Sequence, residues 1–211
     1  MIFLPSSTIP SILYISSLLM GESVAVFIDE PYSKQSYRNR FDIYGATGRM
    51  SISVPVEKYS NPAPPTALIS ISEHGEWRRV AEQSLRSAYS SSPYYEYYEE
   101  EILRLLYNPT PLLVDYNEAW LNWICGEWHI PAPIHVPEDE NVSNGKHLQI
   151  LCDRQITKHP PIVFPHYYQT FGGQHGFLPN LSSIDLLCNL GPEGILTLKE
   201  TAQKWKRYLQ L

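Results

Sequence analysis

Cysteine is scarce in this chain and forms no pattern. Cys125, Cys152 and Cys188 are odd in number and far apart, so no C-x-x-C redox or zinc pair and no disulfide framework is encoded. Three reduced thiols of a cytoplasmic protein are expected. Positive charge is also short: 16 Lys and Arg against 22 Asp and Glu leave a net charge of -6, which argues against general attraction to nucleic acid. No apolar run reaches the roughly 20 residues that a membrane-spanning helix needs. The longest near the start, Ile9 to Met20, is interrupted by Ser11, Ser16 and Ser17 and has no basic region ahead of it, so it reads neither as a span nor as a signal peptide. Without such a signal, the glycosylation triplets Asn141-Val142-Ser143 and Asn180-Leu181-Ser182 read as chance matches.

Catalytic fingerprints are missing too. The glycine spacings of a dinucleotide site and of a P-loop do not occur, nor does G-x-S-x-G, so the sequence names no cofactor. His159, His166 and His175 are spaced by seven and nine, which matches no compact metal-ligand motif. Glu99, Glu100 and Glu101 read as a solvated helix surface rather than a glycosidase pair.

What is present is an α/β pattern: a central, mostly parallel sheet flanked by helices, with a β-hairpin and a helical carboxyl-terminal half. At 211 residues and 43% hydrophobic, one domain is expected, sheet-rich over 1–72 and mainly helical over 76–211. Met1 to Leu4 reads as a buried strand, Ser11 to Met20 as a helix ended by Gly21, and Val24 to Ile28 as a second buried strand. Together they outline a β-α-β unit with parallel strands. A hairpin follows over Phe41 to Val56, turning at Gly45-Ala46-Thr47-Gly48. Ala67 to Ile71 is apolar enough for a further strand. Helices are expected over Glu76 to Tyr89, Tyr94 to Leu106, Pro111 to Trp128, Ser183 to Leu190 and Leu196 to Leu209. Ile130 to Gly145 reads as a loop and His147 to Ile156 as a strand.

Ligands of open α/β sheets sit beyond the carboxyl ends of the strands, and two polar loops fall there. One is Ser6-Ser7-Thr8, whose hydroxyls and helix-start N–H groups make a natural anion seat. The other contains Tyr32-Ser33-Lys34-Gln35-Ser36-Tyr37-Arg38-Asn39-Arg40, three cations and two phenols in an acidic protein. Arg can hold two oxygens of a phosphate or carboxylate, and Lys adds a movable charge. Lys34, Arg38 and Arg40 are therefore expected to neutralise a small anionic ligand that Tyr32 and Asn39 orient. The alternative is that the cations pair with Asp29, Glu30 and Asp42 and only fix the loop. A glycine-rich stretch, Tyr167 to Asn180, carries His175, whose unperturbed pKa of about 6.5 suits general-base work. His175 is the candidate catalytic residue and Asn180 a further ligand contact. The alternatives there are a His175 bond to a backbone carbonyl and an Asn180 that caps the helix beginning near Leu181.

Several of these segments occur together in one known family. Tyr32 to Arg40, Val54-Pro55-Val56, Trp77-Arg78-Arg79, Ser87-Ala88-Tyr89, Pro93-Tyr94-Tyr95, His175 to Ser182 and Ile184-Asp185-Leu186-Leu187 resemble, in order, the WbqC-like protein family. The resemblance implies a bacterial protein of O-antigen-type surface-polysaccharide biosynthesis, and so a nucleotide-linked or phosphorylated sugar as ligand, with group transfer as the expected reaction. It supplies no catalytic residue. The chain departs from the family pattern at Thr8, where an aromatic residue is usual, and at Ala81, where a histidine is frequent. The missing histidine at Ala81 favours the alternative of a non-catalytic binding or scaffold protein in glycan assembly, whereas the cation array and the His175-Gly176 loop favour the enzyme.

Overall fold

A computed structural model describes residues 1–138, 142 and 145–211. Asn141 and Ser143 of the first glycosylation triplet and most of the acidic run before it lie outside the described residues. Strands β1 (Ile2–Pro5) and β2 (Val24–Phe27) are parallel, Ile2 opposite Val24 and Pro5 opposite Phe27, with helix α1 (Ile12–Ser17) between them in the chain. The β-α-β unit is thus formed as the apolar runs imply. Ile2, Leu4 and Val26 enter the main core, while Phe3, Ala25 and Phe27 join Val142 in a second apolar cluster. Alternate residues thus find apolar cover, which is why the runs are continuous rather than alternating.

α1 is shorter than its apolar spacing suggests. Ser11 caps its start, its Oγ accepting from Tyr14 N at 3.4 Å. Near the other end Ser16 and Ser17 donate back to Ile12 O and Leu13 O at 2.7 and 2.9 Å, bonds that compete with helix continuation. The chain then turns through Gly21 at φ +81°.

The hairpin pairs β3 (Arg40–Gly45) with β4 (Gly48–Ser53) in antiparallel register, Gly45 opposite Gly48. Ala46 and Thr47 form the two-residue connection, and Gly48 adopts φ +107°, a conformation open to glycine. Ala67 to Ile71 is not a strand. Thr66–Leu68 is a single 3-10 turn, and the segment after it makes only isolated bridges, Ile71 with Val56 and Ser70 with Leu112.

Helices α2 (Trp77–Tyr89), α3 (Tyr95–Leu106) and α4 (Leu113–Glu127) match their expected ranges to within two residues. On α2 the buried side chains are Ala81, Leu85, Ala88 and Tyr89, one stripe of the helix. The segment read as a loop after α4 contributes one short strand, and a second follows directly after it. β5 (His135–Val136) joins β2 and β6 (Lys146–His147) joins β1, all parallel, so the sheet order is β5-β2-β1-β6.

Of the strand expected over His147 to Ile156 only His147 is extended in the sheet, as the end of β6. A 3-10 turn (Gln149–Cys152) and helix α5 (Arg154–Lys158) follow, because the Asp153 carboxylate accepts from Gln155 N and Ile156 N at 2.7 and 3.1 Å and starts a helix. α6 (Gly172–His175), α7 (Ser183–Leu190) and α8 (Gly194–Leu209) complete the chain, α8 packing on α1. Among the described residues no helix is long and apolar enough to cross a membrane.

Candidate functional site

The connections from β1 and β6 leave in different directions: β1 leads through α1 to β2 on one side, while β6 lies on the other side and leads into the turn at Gln149. A crevice at such a point, beyond the carboxyl ends of the strands, is the usual ligand position of an open α/β sheet. A cleft of about 450 Å³ lies in this region, lined by Lys34, Ser36, Arg38, Gln149, Asp153 and Arg154 among others.

Arg38 forms its buried part. The side chain is 7% exposed, with Nη2 2.7 Å and Nε 2.9 Å from Glu30 Oε1, while Nη2 also donates to Gln149 Oε1 at 2.6 Å. Nη1 makes no hydrogen bond among the described residues and is the guanidinium's spare donor. The backbone of Arg38 is equally fixed. Its carbonyl accepts from Asn117 Nδ2 at 2.9 Å and lies 2.8 Å from Thr8 Oγ1. Asn117 Nδ2 also reaches Ser6 Oγ at 2.9 Å, so one buried amide ties the loop after β1 to the cation segment.

Burial raises the Glu30 carboxyl above its ordinary range, and Arg38 pulls it back. Glu30 Oε2 is buried without a partner among the described residues. The arginine is therefore matched by one half of a carboxylate, and structural pairing and ligand contact are compatible in the same side chain.

The other expected ligand residues divide. Lys34 is exposed, Nζ 5.0 Å from the centre of the Tyr59 ring, at the cleft's rim. Tyr32 meets Tyr59 edge-on at 5.5 Å and is itself buried, its hydroxyl pKa pushed up to about 12 by burial. It supports the wall that Lys34 leans on. Asn39 donates to Val54 O at 2.8 Å and clasps the mouth of the hairpin. Arg40 is half-buried, its Nε without a partner among the described residues. Residue spacing alone singles out neither Arg154 nor Gln149. Arg154 Nη1 donates to Gln35 Oε1 at 3.3 Å across the cleft, and the sequence signal that points to it is the capping Asp153 directly before it.

The anion seat expected at Ser6-Ser7-Thr8 is filled by the protein itself. Thr8 N donates to Tyr37 O at 3.0 Å, Ile12 N to Leu181 O at 3.0 Å, and Leu13 N to Asn180 Oδ1 at 2.8 Å. Asn180, 1% exposed and at φ +52°, also donates from Nδ2 to Thr157 O at 3.1 Å. Both ends of its amide are engaged, so its surroundings favour the capping alternative over ligand contact. The helix it caps is α1, 167 residues earlier, not the one that follows it.

His175 stands elsewhere. It is exposed, and its Nε2 lies 2.7 Å from Ala46 O at the tip of the hairpin. A carbonyl only accepts, so Nε2 is the donor in this contact. Arg40 and Ala46 are six residues apart along the hairpin, about 20 Å at a strand's rise of about 3.3 Å per residue. The cation segment and His175 are therefore not brought into one cleft.

Cys152 also borders the cleft, its Sγ donating to Ser6 O at 3.5 Å; burial pushes its pKa up to about 12 and keeps it a thiol. All three cysteines are free and buried. A second polar centre, unforeseen from sequence, surrounds Asp185. Its Oδ1 accepts from Tyr89 OH at 3.0 Å, and its Oδ2 accepts from Tyr167 OH at 2.5 Å and Gln169 Nε2 at 3.0 Å. The residue is 0% exposed, and burial pushes its pKa up to about 6.

The WbqC-like family model matches residues 6–159. The chain belongs to the WbqC-like protein family. The matched span contains the whole lining of the cleft described above, including Lys34, Arg38, Gln149 and Arg154. His175, Asn180 and Asp185 lie beyond it. No curated protein and no solved structure matches the chain. In this WbqC-like protein Ala81 is fully buried on α2, and Thr8 Oγ1 lies 2.6 Å from Asn117 Oδ1.

Proposed function

We propose that this WbqC-like protein binds a nucleotide-linked or phosphorylated sugar in the assembly of a bacterial surface polysaccharide. The observation that carries this reading is Arg38, nearly buried, oriented by Glu30 and Gln149, with Nη1 free beside a cleft rimmed by Lys34 and Arg154. Pre-oriented donors around a partly dry cleft suit a phosphate, because little side-chain ordering at Arg38 remains to be done when the ligand arrives. Asp153 also lines the cleft, and its negative charge is partly offset by the two N–H groups at the start of α5 from which its Oδ1 accepts. The family match supports the polysaccharide setting through its membership alone.

Binding without chemistry draws support from the distance between this cleft and His175. Group transfer in the same cleft would need a proton acceptor; His175 is not among its lining residues, and its carboxylate, Asp153, is engaged through one oxygen at the start of α5. The reading adopted is therefore a ligand-binding protein of the pathway, with transferase activity as the alternative that a turnover assay would reveal.

The test is calorimetry of the full chain against UDP-N-acetylglucosamine, dTDP-glucose and GDP-mannose, comparing wild type with Lys34→Gln and Arg154→Gln. Both residues stand at the rim, so folding is expected to be kept. Removal of one charge-assisted hydrogen bond to the ligand should weaken binding by about 1.5–3 kcal/mol. Equal affinity in all three proteins, or no binding of any of these compounds, rejects the reading.

A further inference from the structure

The short helix α5 has the anion cleft at its start and a second cleft at its end, which adjoins a third. Asp153 and Arg154 border the first, and Lys158 and His159 border one of the others. With a rise of about 1.5 Å per residue, Arg154 and Lys158 are only about 6 Å apart along the helix axis. The two further clefts have volumes of about 410 and 520 Å³ and share a wall made of His166 and Phe177.

That wall is rigidly built. The two rings stack with centroids 4.3 Å apart and planes 23° from parallel, and Tyr167 meets Phe177 edge-on at 5.3 Å. Tyr167 and Gln169 are anchored in turn on the buried Asp185 carboxylate, and Gln169 Oε1 and Nε2 clasp Leu178 N and O at 2.9 Å. His166 therefore rests on a fixed ring and is itself exposed. Beside it Tyr168 is 57% and Val163 79% exposed.

Flat apolar faces surrounded by hydrogen-bonding edges are the complement of a pyranose ring, whose C–H faces are apolar and whose rim carries hydroxyls. Here the faces are the imidazole of His166 and the phenol of Tyr168, and the edges are Lys158, His159 and the Tyr168 hydroxyl. Among the described residues lining the two clefts, none is acidic. A nucleobase would gain most from enclosure between two parallel rings, whereas one face of His166 is already taken by Phe177.

We infer that the His166–Phe177 wall is a saccharide subsite, holding the sugar ring of a ligand whose phosphate lies in the anion cleft across α5. The inference rests on the binding function proposed above for that cleft, and it adds which part of the ligand is recognised by which residues.

Calorimetry of the full chain with matched pairs tests it: UDP-N-acetylglucosamine and UDP, dTDP-glucose and dTDP, GDP-mannose and GDP. For at least one pair, wild type should bind the sugar-linked form more tightly. His166→Ala and Tyr168→Ala should each reduce that preference by about tenfold, the scale of losing one stacked ring, with affinity for the diphosphate unchanged. Both residues are exposed, and circular dichroism of the variants verifies folding. Equal losses for the sugar-linked compound and its diphosphate assign the wall to a base or phosphate and overturn the inference; so does no loss in either. If no pair binds, the anion-cleft reading has failed by itself, and saturation-transfer NMR with methyl glycosides of glucose, mannose and N-acetylglucosamine then decides the subsite alone. Transfer to ring protons that disappears in His166→Ala upholds it, and absence of transfer overturns it.

Discussion

Arg38 Nη2 lies 2.7 Å from Glu30 Oε1, and both side chains are more than nine-tenths buried. Taking two charges from water costs several kcal/mol per ion, and their attraction offsets this only while both are present. Replacing Arg38 alone by Gln should thus destabilise the protein by about 3–5 kcal/mol, because Glu30 is left buried without its partner. The double replacement Arg38→Gln with Glu30→Gln should recover most of that loss while ligand binding stays weak. Urea unfolding of the three variants measures it. A double variant no more stable than the single one would show that the two residues do not act as a pair.

The Asp185 carboxyl, raised from 3.8 to about 6 by burial, makes stability depend on pH. The native state holds this proton more tightly than the unfolded chain. Its contribution is therefore fully present below the unfolded pKa and is lost as pH rises through about 6. A shift of that size corresponds to about 3 kcal/mol at most. Glu30, also raised by burial, acts in the same direction. Melting temperature should fall between pH 5 and pH 7.5 in wild type and fall less steeply in Asp185→Asn. Identical slopes in the two proteins would remove Asp185 as the cause.

Which of these features the sequence reveals depends on how local their causes are. The β1-α1-β2 unit is legible because continuous apolar runs and a capping serine act within a few residues of themselves. The hairpin is legible for the same reason, since Gly45 and Gly48 bracket a two-residue turn. β5 and β6 are not: each is two residues long and exists only because β1 and β2 offer free edges. Asn180 stands out in the sequence, but its partner Leu13 is 167 residues away and no spacing rule reaches that far. Asp185 is masked by its apolar neighbours Ile184, Leu186 and Leu187; a lone carboxylate inside an otherwise apolar helix is the signal it offers. The cation segment is legible as chemistry, whereas its second wall at Gln149 and Arg154 is obscured by the strand-like pattern of 147–156.

The capping role of Asn180 leads to a test that separates backbone strain from side-chain bonding. Asn180→Gly keeps the φ of +52° accessible but removes the bonds to Leu13 N and Thr157 O. A loss of about 1–3 kcal/mol is expected, since a buried donor and acceptor are left unpaired. Asn180→Ala should cost about 1 kcal/mol more, because a β-carbon is unfavourable in the left-handed region. Chemical denaturation of both variants measures the difference, and a more stable alanine variant would contradict this account.

His175→Ala tests whether the hairpin tip takes part in ligand chemistry. The residue is exposed, and its side-chain bond in the structure joins Nε2 to Ala46 O, so its loss should lower stability by no more than about 1 kcal/mol. Because His175 is not among the residues that line the anion cleft, affinity for a nucleotide sugar should be unchanged. Calorimetry and thermal melting of one variant supply both numbers. If a substrate is found, a fall of about 10²–10⁴ in turnover with unaltered affinity would restore His175 as a general base, and would require that the hairpin tip and the cleft approach each other during turnover. Unaltered turnover would instead leave the histidine as a clasp between α6 and the hairpin, with the anion cleft and the His166–Phe177 wall carrying recognition without it.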